Sequence, residues 1–284
     1  MGRVLVLGAL NLDLVTRVER HPAPGETVLG QGPERFDGGK GGNQAVAARA
    51  GGADVAMVGA VGDDEGGRAY LDRLAARGID VIGVAVRSGV PTGHALITVS
   101  ESGENTIVVV PGANETVDTG DLRAAVSSIG PGDVLLTQLE VPLRTVAEAA
   151  RAAAAAGARV IINAAPFAAL PHDVIALADP LVVNEHEAML LADSGLVPSS
   201  LLVTFGAGGA AWDLERVDGQ PVPDDEVIDT TGAGDAFCGA LAAALAAGAD
   251  RSRALAVATA AGAAAVRHQG AQPEMQHPGD PSVM

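Results

Sequence analysis

Aromatic side chains are scarce in this sequence: one Trp, one Tyr and four Phe in 284 residues. Between Leu5 and Val110 only Phe36 and Tyr70 are aromatic, which disfavours a pocket built to stack a base. A single cysteine, Cys238, excludes an internal disulfide, and no Cys/His spacing suggests zinc. Basic residues are few, 18 Lys and Arg against 35 Asp and Glu, for a net charge of −17. That balance excludes a surface for nucleic acid, whose phosphates are bound through excess cations. It also means that any phosphate site is positive only locally, through backbone N–H groups and a bound divalent cation. No uninterrupted apolar run approaches the ~18 residues that span a bilayer. The run Val4–Leu10 has no charged leader and passes straight into Asn11 and Asp13, so it reads as a strand rather than a signal peptide. The protein is expected to stay in the cytoplasm, without a membrane partner.

What is present is apolar residues, 48% of the chain, enough for one large or two smaller domains. Short β-branched runs alternate with helical periods. Strands are expected at 3–10, 55–59, 133–137, 159–163, 181–183 and 201–204. Helices are expected at 43–50, 65–77, 143–156 and from Glu185, and an uncharged run, Ala236 to Ala249, reads as a buried helix. Such alternation implies a parallel sheet covered on both faces. Two strand-like segments, 16–36 and 92–110, have turns at Pro24-Gly25 and Ser102-Gly103 and no crossover helix after them. They predict a small antiparallel sheet projecting from the main one, as a lid over a site or as a surface for dimerisation.

The most informative stretch is Asp229-Thr-Thr-Gly-Ala-Gly-Asp-Ala-Phe-Cys-Gly239. The turn Gly232-Ala233-Gly234 delivers Asp235 to the start of the uncharged run. Unpaired N–H groups and the helix dipole attract anions there. A carboxylate at such a place makes sense as a proton acceptor for a hydroxyl attacking phosphorus; the plainer reading is a helix cap. Cys238, close by, reads as a small filler of the helix.

A second glycine motif, Gly38-Gly-Lys-Gly-Gly-Asn-Gln-Ala-Val-Ala47, lies upstream, with Gln138-Leu-Glu-Val-Pro142 and Asn184-Glu-His-Glu187 between the two. Together these resemble, in order, the motifs of the ribokinase-like (PfkB) carbohydrate kinases, over about Val4 to Pro273. The ribokinase branch is most similar, through Asn11-Leu-Asp13, Pro24-Gly-Glu-Thr27, Gly103-Glu-Asn105, Pro111-Gly-Ala-Asn114 and Gly270-Ala-Gln-Pro273. The resemblance implies a single 1–284 kinase domain, a three-layer α/β sandwich on a parallel sheet. Its small antiparallel β lid would comprise about 14–37 and 91–111, and 275–284 would be a disordered tail without the closing helix of many relatives. It further implies ATP-dependent phosphorylation of a sugar, expected to be D-ribose at O5, and a homodimer formed through the lid.

By the same resemblance, Asn11, Asp13, Gly39, Lys40, Asn43 and Glu140 hold the sugar. Asp235 takes the proton, and Gly232, Ala233 and Gly234 face the charge on the transferred phosphoryl group. ATP falls to Asn184, Glu187, Thr204, Gly206, Gly209, Gly234 and Thr259, with Glu187 ordering water around Mg²⁺; in isolation Glu187 reads equally as a helix-start acid. A potassium site would use Asp229, Thr231, Val266, His268, Gly270 and Glu274. Glu274 stands where a small hydroxyl residue is usual, which puts K⁺ activation in question. Only 192–200 separates the Asn184–Glu187 helix from the next strand, shorter than usual, and Thr259 replaces an aromatic or imidazole group. Deoxyribose, fructose, a nucleoside or a sugar acid remain alternative acceptors, and a non-catalytic sugar-binding regulator an alternative role. A dinucleotide oxidoreductase is rejected: Thr204–Gly209 does not extend into G-x-G-x-x-G, and no G-x-x-x-x-G-K-[ST] loop exists.

Overall fold

The computed structural model describes residues 2–272; the expected tail at 275–284 and Glu274 lie outside them. Thirteen strands and eight helices succeed one another among these residues. Strand β1 (Val4–Leu7) leads into β2 (Asn11–Val18) and β3 (Gly30–Gly38), then helix α1 (Lys40–Ala50). Next come β4 (Val55–Gly62), α2 (Glu65–Ala76), β5 (Asp80–Arg87), β6 (Gly93–Ser100), β7 (Asn105–Val110) and α3 (Thr119–Val126). The middle of the chain holds β8 (Val134–Thr137), α4 (Leu143–Ala155), β9 (Arg159–Asn163), α5 (His172–Ile175), β10 (Leu181–Asn184) and α6 (Glu185–Ser194). Last are β11 (Leu201–Thr204), β12 (Ala210–Trp212), β13 (Glu215–Val217), α7 (Ala233–Ala246) and α8 (Arg251–Ala265).

Nine strands form the main sheet in the order β13-β12-β11-β10-β9-β8-β1-β4-β5. It is parallel from β11 to β5, with β12 and β13 added antiparallel at one edge. Because strand side chains alternate in direction, β1 serves two cores. Val4 and Val6 pack in a cluster with Val46 of α1, Leu74 of α2, Leu241 of α7 and Leu255 of α8. Leu5 and Leu7 belong to the opposite cluster, with Leu122 of α3, Val146 of α4, Val174 of α5 and Leu191 of α6. The result is three layers, as the alternation of elements predicts. Helix α7, apolar nearly all round, is covered by α1 and α8 rather than facing water.

The second, smaller sheet, expected as a lid, differs from expectation in one pairing. Its four strands run β3-β2-β6-β7, with β2–β3 and β6–β7 antiparallel but β2–β6 parallel. Two hairpins are therefore joined side by side, because both leave the main sheet at its same end. Residues 19–29 form a loop rather than strand. The expected first strand, 3–10, ends at Leu7, and Asn11 and Asp13 already belong to the lid. Two helices also begin earlier than their sequences suggest. Helix α1 starts at Lys40, carrying Gly41 and Gly42 inside it, because a Cβ at Gly41 would sit 2.5 Å from the carbonyl carbon of Gly8. Helix α7 starts at Ala233, not Ala236, so Asp235 lies in its first turn.

Candidate active site

Gly232 caps α7 in the left-handed region, at φ 79°, and the side chain of Asp235 makes no capping bond. The plain cap reading of Asp235 is thereby replaced: glycine supplies the cap conformation at no steric cost, and the carboxylate is free to point elsewhere. The first intrahelical bond runs from Ala236 N to the Gly232 carbonyl, while Ala233 N reaches the Thr230 carbonyl at 3.3 Å. The N–H groups of Gly234 and Asp235 have no intrahelical acceptor.

Asp235 is buried, yet both of its oxygens are held. Asn43 Nδ2 donates to Oδ2 at 2.9 Å and Gln44 Nε2 to Oδ1 at 2.8 Å. Consecutive residues of α1 reach one carboxylate because α1 and α7 pack against each other. Each amide is itself oriented. Gln138 Nε2 donates to Gln44 Oε1 at 2.6 Å, and Gln44 Nε2 also reaches Asn163 Oδ1 at 3.0 Å. Each carboxylate oxygen keeps a lone pair beyond these bonds.

Beside this acid lies a cluster of charge taken out of water. Asp13 Oδ1 is buried without a hydrogen-bond partner, and a Cβ at Gly38 would be 2.2 Å from Asp13 Oδ2. Burial, reinforced by Glu140, Asp37 and Asp235, pushes the Asp13 carboxyl up to about 7. Burial also raises Glu140, although Lys40 opposes it and donates its backbone N–H to Glu140 Oε2 at 2.9 Å. Burial would lower Lys40, but Asp235, Glu140 and Glu187 together hold its ammonium above the ordinary value. Asn11 is anchored by Asn114, whose Nδ2 donates to Asn11 Oδ1 at 2.8 Å and whose Oδ1 accepts from Leu10 N. Gly39 holds φ 81°, and a Cβ there would be 2.7 Å from the Ala9 carbonyl oxygen and from Asn11 N, so the two glycine-flanked segments touch through backbone.

A cavity of about 130 Å³ opens at the C-terminal ends of β9–β11, beside the start of α7. Asp235, Gly232, Gly234, Lys40, Asn184, Glu187 and Thr204 all line it, although they come from four separate motifs. Asn184 and Glu187 cap α6 reciprocally: Asn184 Oδ1 accepts Glu187 N, and Glu187 Oε2 accepts Asn184 N, both at 2.8 Å. Glu187 thus combines the helix-start reading with a place on the cavity wall. Gly206 and Gly209 follow Thr204 in a short 3₁₀ turn and do not line the cavity. Neither does Thr259, whose hydroxyl donates back to the Leu255 carbonyl at 2.9 Å inside α8. A larger cavity, about 370 Å³, lies at the other end of the sheet, lined by Asp133, Arg159 and Asp179 among others. Neither Asp235 nor any other of the candidate site residues lines it.

The expected cation residues form a closed loop. Asp229 Oδ1 accepts Thr231 N at 2.8 Å and its Oδ2 accepts Gly270 N at 2.9 Å. The Val266 carbonyl accepts both Ile228 N and Asp229 N, and His268 N turns back to the Ala265 carbonyl. Asp229, Thr231, Val266 and Gly270 are therefore assembled together, with Asp229 and Val266 already carrying hydrogen bonds. Among the described residues no three His, Cys, Asp or Glu side chains form a metal cluster.

The model of the family described as pfkB family carbohydrate kinase matches residues 1–278. This chain belongs to that family. A curated pfkB relative, the ribokinase of Bacillus subtilis, is 38% identical over 261 residues, covering 88% of each chain. The crystal structure of a Thermotoga maritima ribokinase superposes with a TM-score of 0.84 at 31% identity, covering 96% of this chain and 95% of that one. An Arabidopsis thaliana ribokinase, solved in complex with ribose and ATP, gives 0.82 at 28% identity, covering 96% of both.

Several residues at this pfkB site escaped the sequence reading of roles. Gln44, Gln138 and Asn163 form the chain of amides behind Asp235, and Asn114 and Tyr70 brace Asn11 and Gly38. Gln44, Gln138 and Asn114 stood inside the quoted motifs, but amides carry no charge pattern that would assign them. Cys238 lines the cavity as well, with burial raising its thiol far above the ordinary range, so it stays protonated and unreactive.

Proposed function

We propose that this chain transfers the γ-phosphoryl group of ATP to O5 of D-ribose, giving ribose 5-phosphate and ADP. The observation that carries the reading is one cavity holding Asp235, the start of α7 and Lys40 together, with the unpartnered Asp13 carboxylate in the adjoining cluster. Asp13, Asn11, Asn43 and Glu140, with the backbone at Gly39, hold the sugar hydroxyls; the buried, unpaired Asp13 Oδ1 awaits a donor of that kind. Asp235 accepts the proton of the attacking hydroxyl as the new O–P bond forms and the bond to the bridging oxygen of ADP breaks. A carboxylate can serve as this base because a loose transition state loses the proton late. The Gly232–Ala233–Gly234 turn, through the N–H of Gly234 that it leaves without an intrahelical acceptor, and Lys40 stabilise charge on the moving phosphoryl oxygens. Asn184, Glu187, Thr204, Gly206, Gly209 and Thr259 make the nucleotide side.

Glu187, on the cavity wall, would hold a water of an Mg²⁺ bound with the nucleotide. Charge neutralisation of the phosphates is the chemistry that ion supplies. Asp229, Thr231, Val266, His268 and Gly270 are the described residues that would hold K⁺, whose charge would help fix the loop that precedes Gly232. The exposed apolar side chains Leu96, Ile107, Val108, Val109 and Val110 of the lid support dimerisation through that sheet. ATP as donor supports a cytoplasmic location.

ADP release from MgATP, measured with ribose, deoxyribose, fructose and adenosine, with and without K⁺, tests the reading. Release that depends on ribose above all others is expected. Thermal stabilisation by ribose without ADP release would instead identify a sugar-binding regulator.

A further inference from the structure

The amides of Gln44 and Asn43 each have one way round that serves Asp235, with nitrogen toward the carboxylate. Gln44 is locked in that rotation by Gln138, which donates to its oxygen. Asn43 has the corresponding lock on the other side: Gln272 Nε2 donates to Asn43 Oδ1 at 3.1 Å. The same Gln272 nitrogen reaches Tyr70 Oη at 2.6 Å, and Tyr70 donates to the Gly38 carbonyl at 2.8 Å, where the lid strand β3 ends. Gln272 is carried by the segment that closes the Asp229 loop through Gly270, and the preceding residue, Ala271, packs on the helix cap: a Cβ at Gly232 would be 2.5 Å from Ala271 Cα. One side-chain nitrogen thus donates to two parts of the site, the Asn43 amide and the Tyr70 hydroxyl, while its neighbour Ala271 packs on a third.

We propose that Gln272 is a positioning residue for phosphoryl transfer, fixing the Asn43 amide so that Nδ2 rather than Oδ1 faces Asp235. The inference rests on the reading of Asp235 as the proton acceptor. Without the Gln272 donor, Asn43 can rotate by half a turn and set its carbonyl oxygen against the carboxylate. The two acceptors then repel, and Asp235 turns from the line of the attacking hydroxyl. Gln272 touches no reacting atom; it acts through Asn43.

Substitutions at both positions test this: Gln272→Glu, Gln272→Met, and Asn43→Ala alone and combined with Gln272→Met. Kinetics are run at saturating ribose and MgATP, and circular-dichroism melts are recorded for each. In Gln272→Glu the ionised carboxylate offers only acceptors, so Asn43 should flip and kcat fall about 10-fold or more. Once protonated, that carboxyl donates again, so the ratio of the variant's kcat to wild type should climb as pH falls. The Gln272→Met side chain can neither donate nor ionise; it should lose less than Gln272→Glu at high pH and show a pH-independent ratio. In the Asn43→Ala background, Gln272→Met should change kcat by less than about 2-fold. Equal, pH-independent losses in the two Gln272 variants would overturn the proposal. So would a loss from Gln272→Met that is as large without Asn43 as with it, which marks a merely structural role. Asp235→Asn run alongside separates the layers: unimpaired turnover there removes the reading of the base itself, whereas an inactive Asp235→Asn with unaffected Gln272 variants removes only this inference.

Discussion

Asp13 shows how a single residue can be costly to the fold and still suit the sugar-binding role proposed for it. Its carboxyl titrates at about 7 because burial and three neighbouring acids disfavour its charge. A raised carboxyl binds its proton more tightly in the folded than in the unfolded chain. Its stabilising contribution is whole below pH ~4 and is withdrawn as pH climbs toward 7, by up to ~4 kcal/mol. Asp13→Asn is therefore expected to melt near wild type at pH 4 and well above it at pH 8, while losing the stabilisation that ribose confers on wild type. Melting curves over that range, with and without ribose, check both parts; a difference that does not grow with pH sinks the assignment. At Asp235 the expectation is kinetic. Asp235→Asn should lower kcat about 100-fold or more and leave the KM for ATP within a few-fold, because the change removes the proton acceptor and leaves the nucleotide wall intact. Initial-rate kinetics against each substrate separate the two effects.

At the scale of elements, the start of α7 is where local conformation and long-range packing meet. Gly232 needs a positive φ, and its missing Cβ is what lets the Ala271 backbone close over the cap. Gly232→Ala should then destabilise the chain by about 1–3 kcal/mol. It should also lower kcat more than a surface change of equal stability cost, since the N–H groups of Gly234 and Asp235 move with the cap. Urea unfolding beside steady-state kinetics measures both. The other informative element is the lid. Its strand β7 is exposed along its whole length and offers valines and an isoleucine to solvent, an unusual surface for an edge strand unless something covers it.

At the scale of the whole molecule, that surface predicts a dimer. Sedimentation should find two copies associated, and Val108→Glu should give a monomer of unchanged melting temperature; a wild-type monomer at micromolar concentration would refute the lid as interface. The three layers, the two covered sheet faces and the glycine turn before Asp235 were legible because each depends on neighbours a few residues apart: alternation of strand and helix, and a Gly-rich turn before an uncharged run. Helix starts at Lys40 and Ala233 were not, since the glycines that argue against helix are tolerated only through packing against Gly8 and Ala271. The parallel β2–β6 pairing was hidden too, because hairpin signals report the turn within each strand pair and nothing about which pairs lie side by side. The sequence by itself determined the family and the place of Asp235 directly after a glycine turn at a helix start, as local chemistry in a recognisable order. Only the tertiary structure decided which amides hold that acid, because Asn43 and Gln44 lie 192 and 191 residues away along the chain, and a separation that long is bridged by the packing of α1 on α7, which no local pattern encodes.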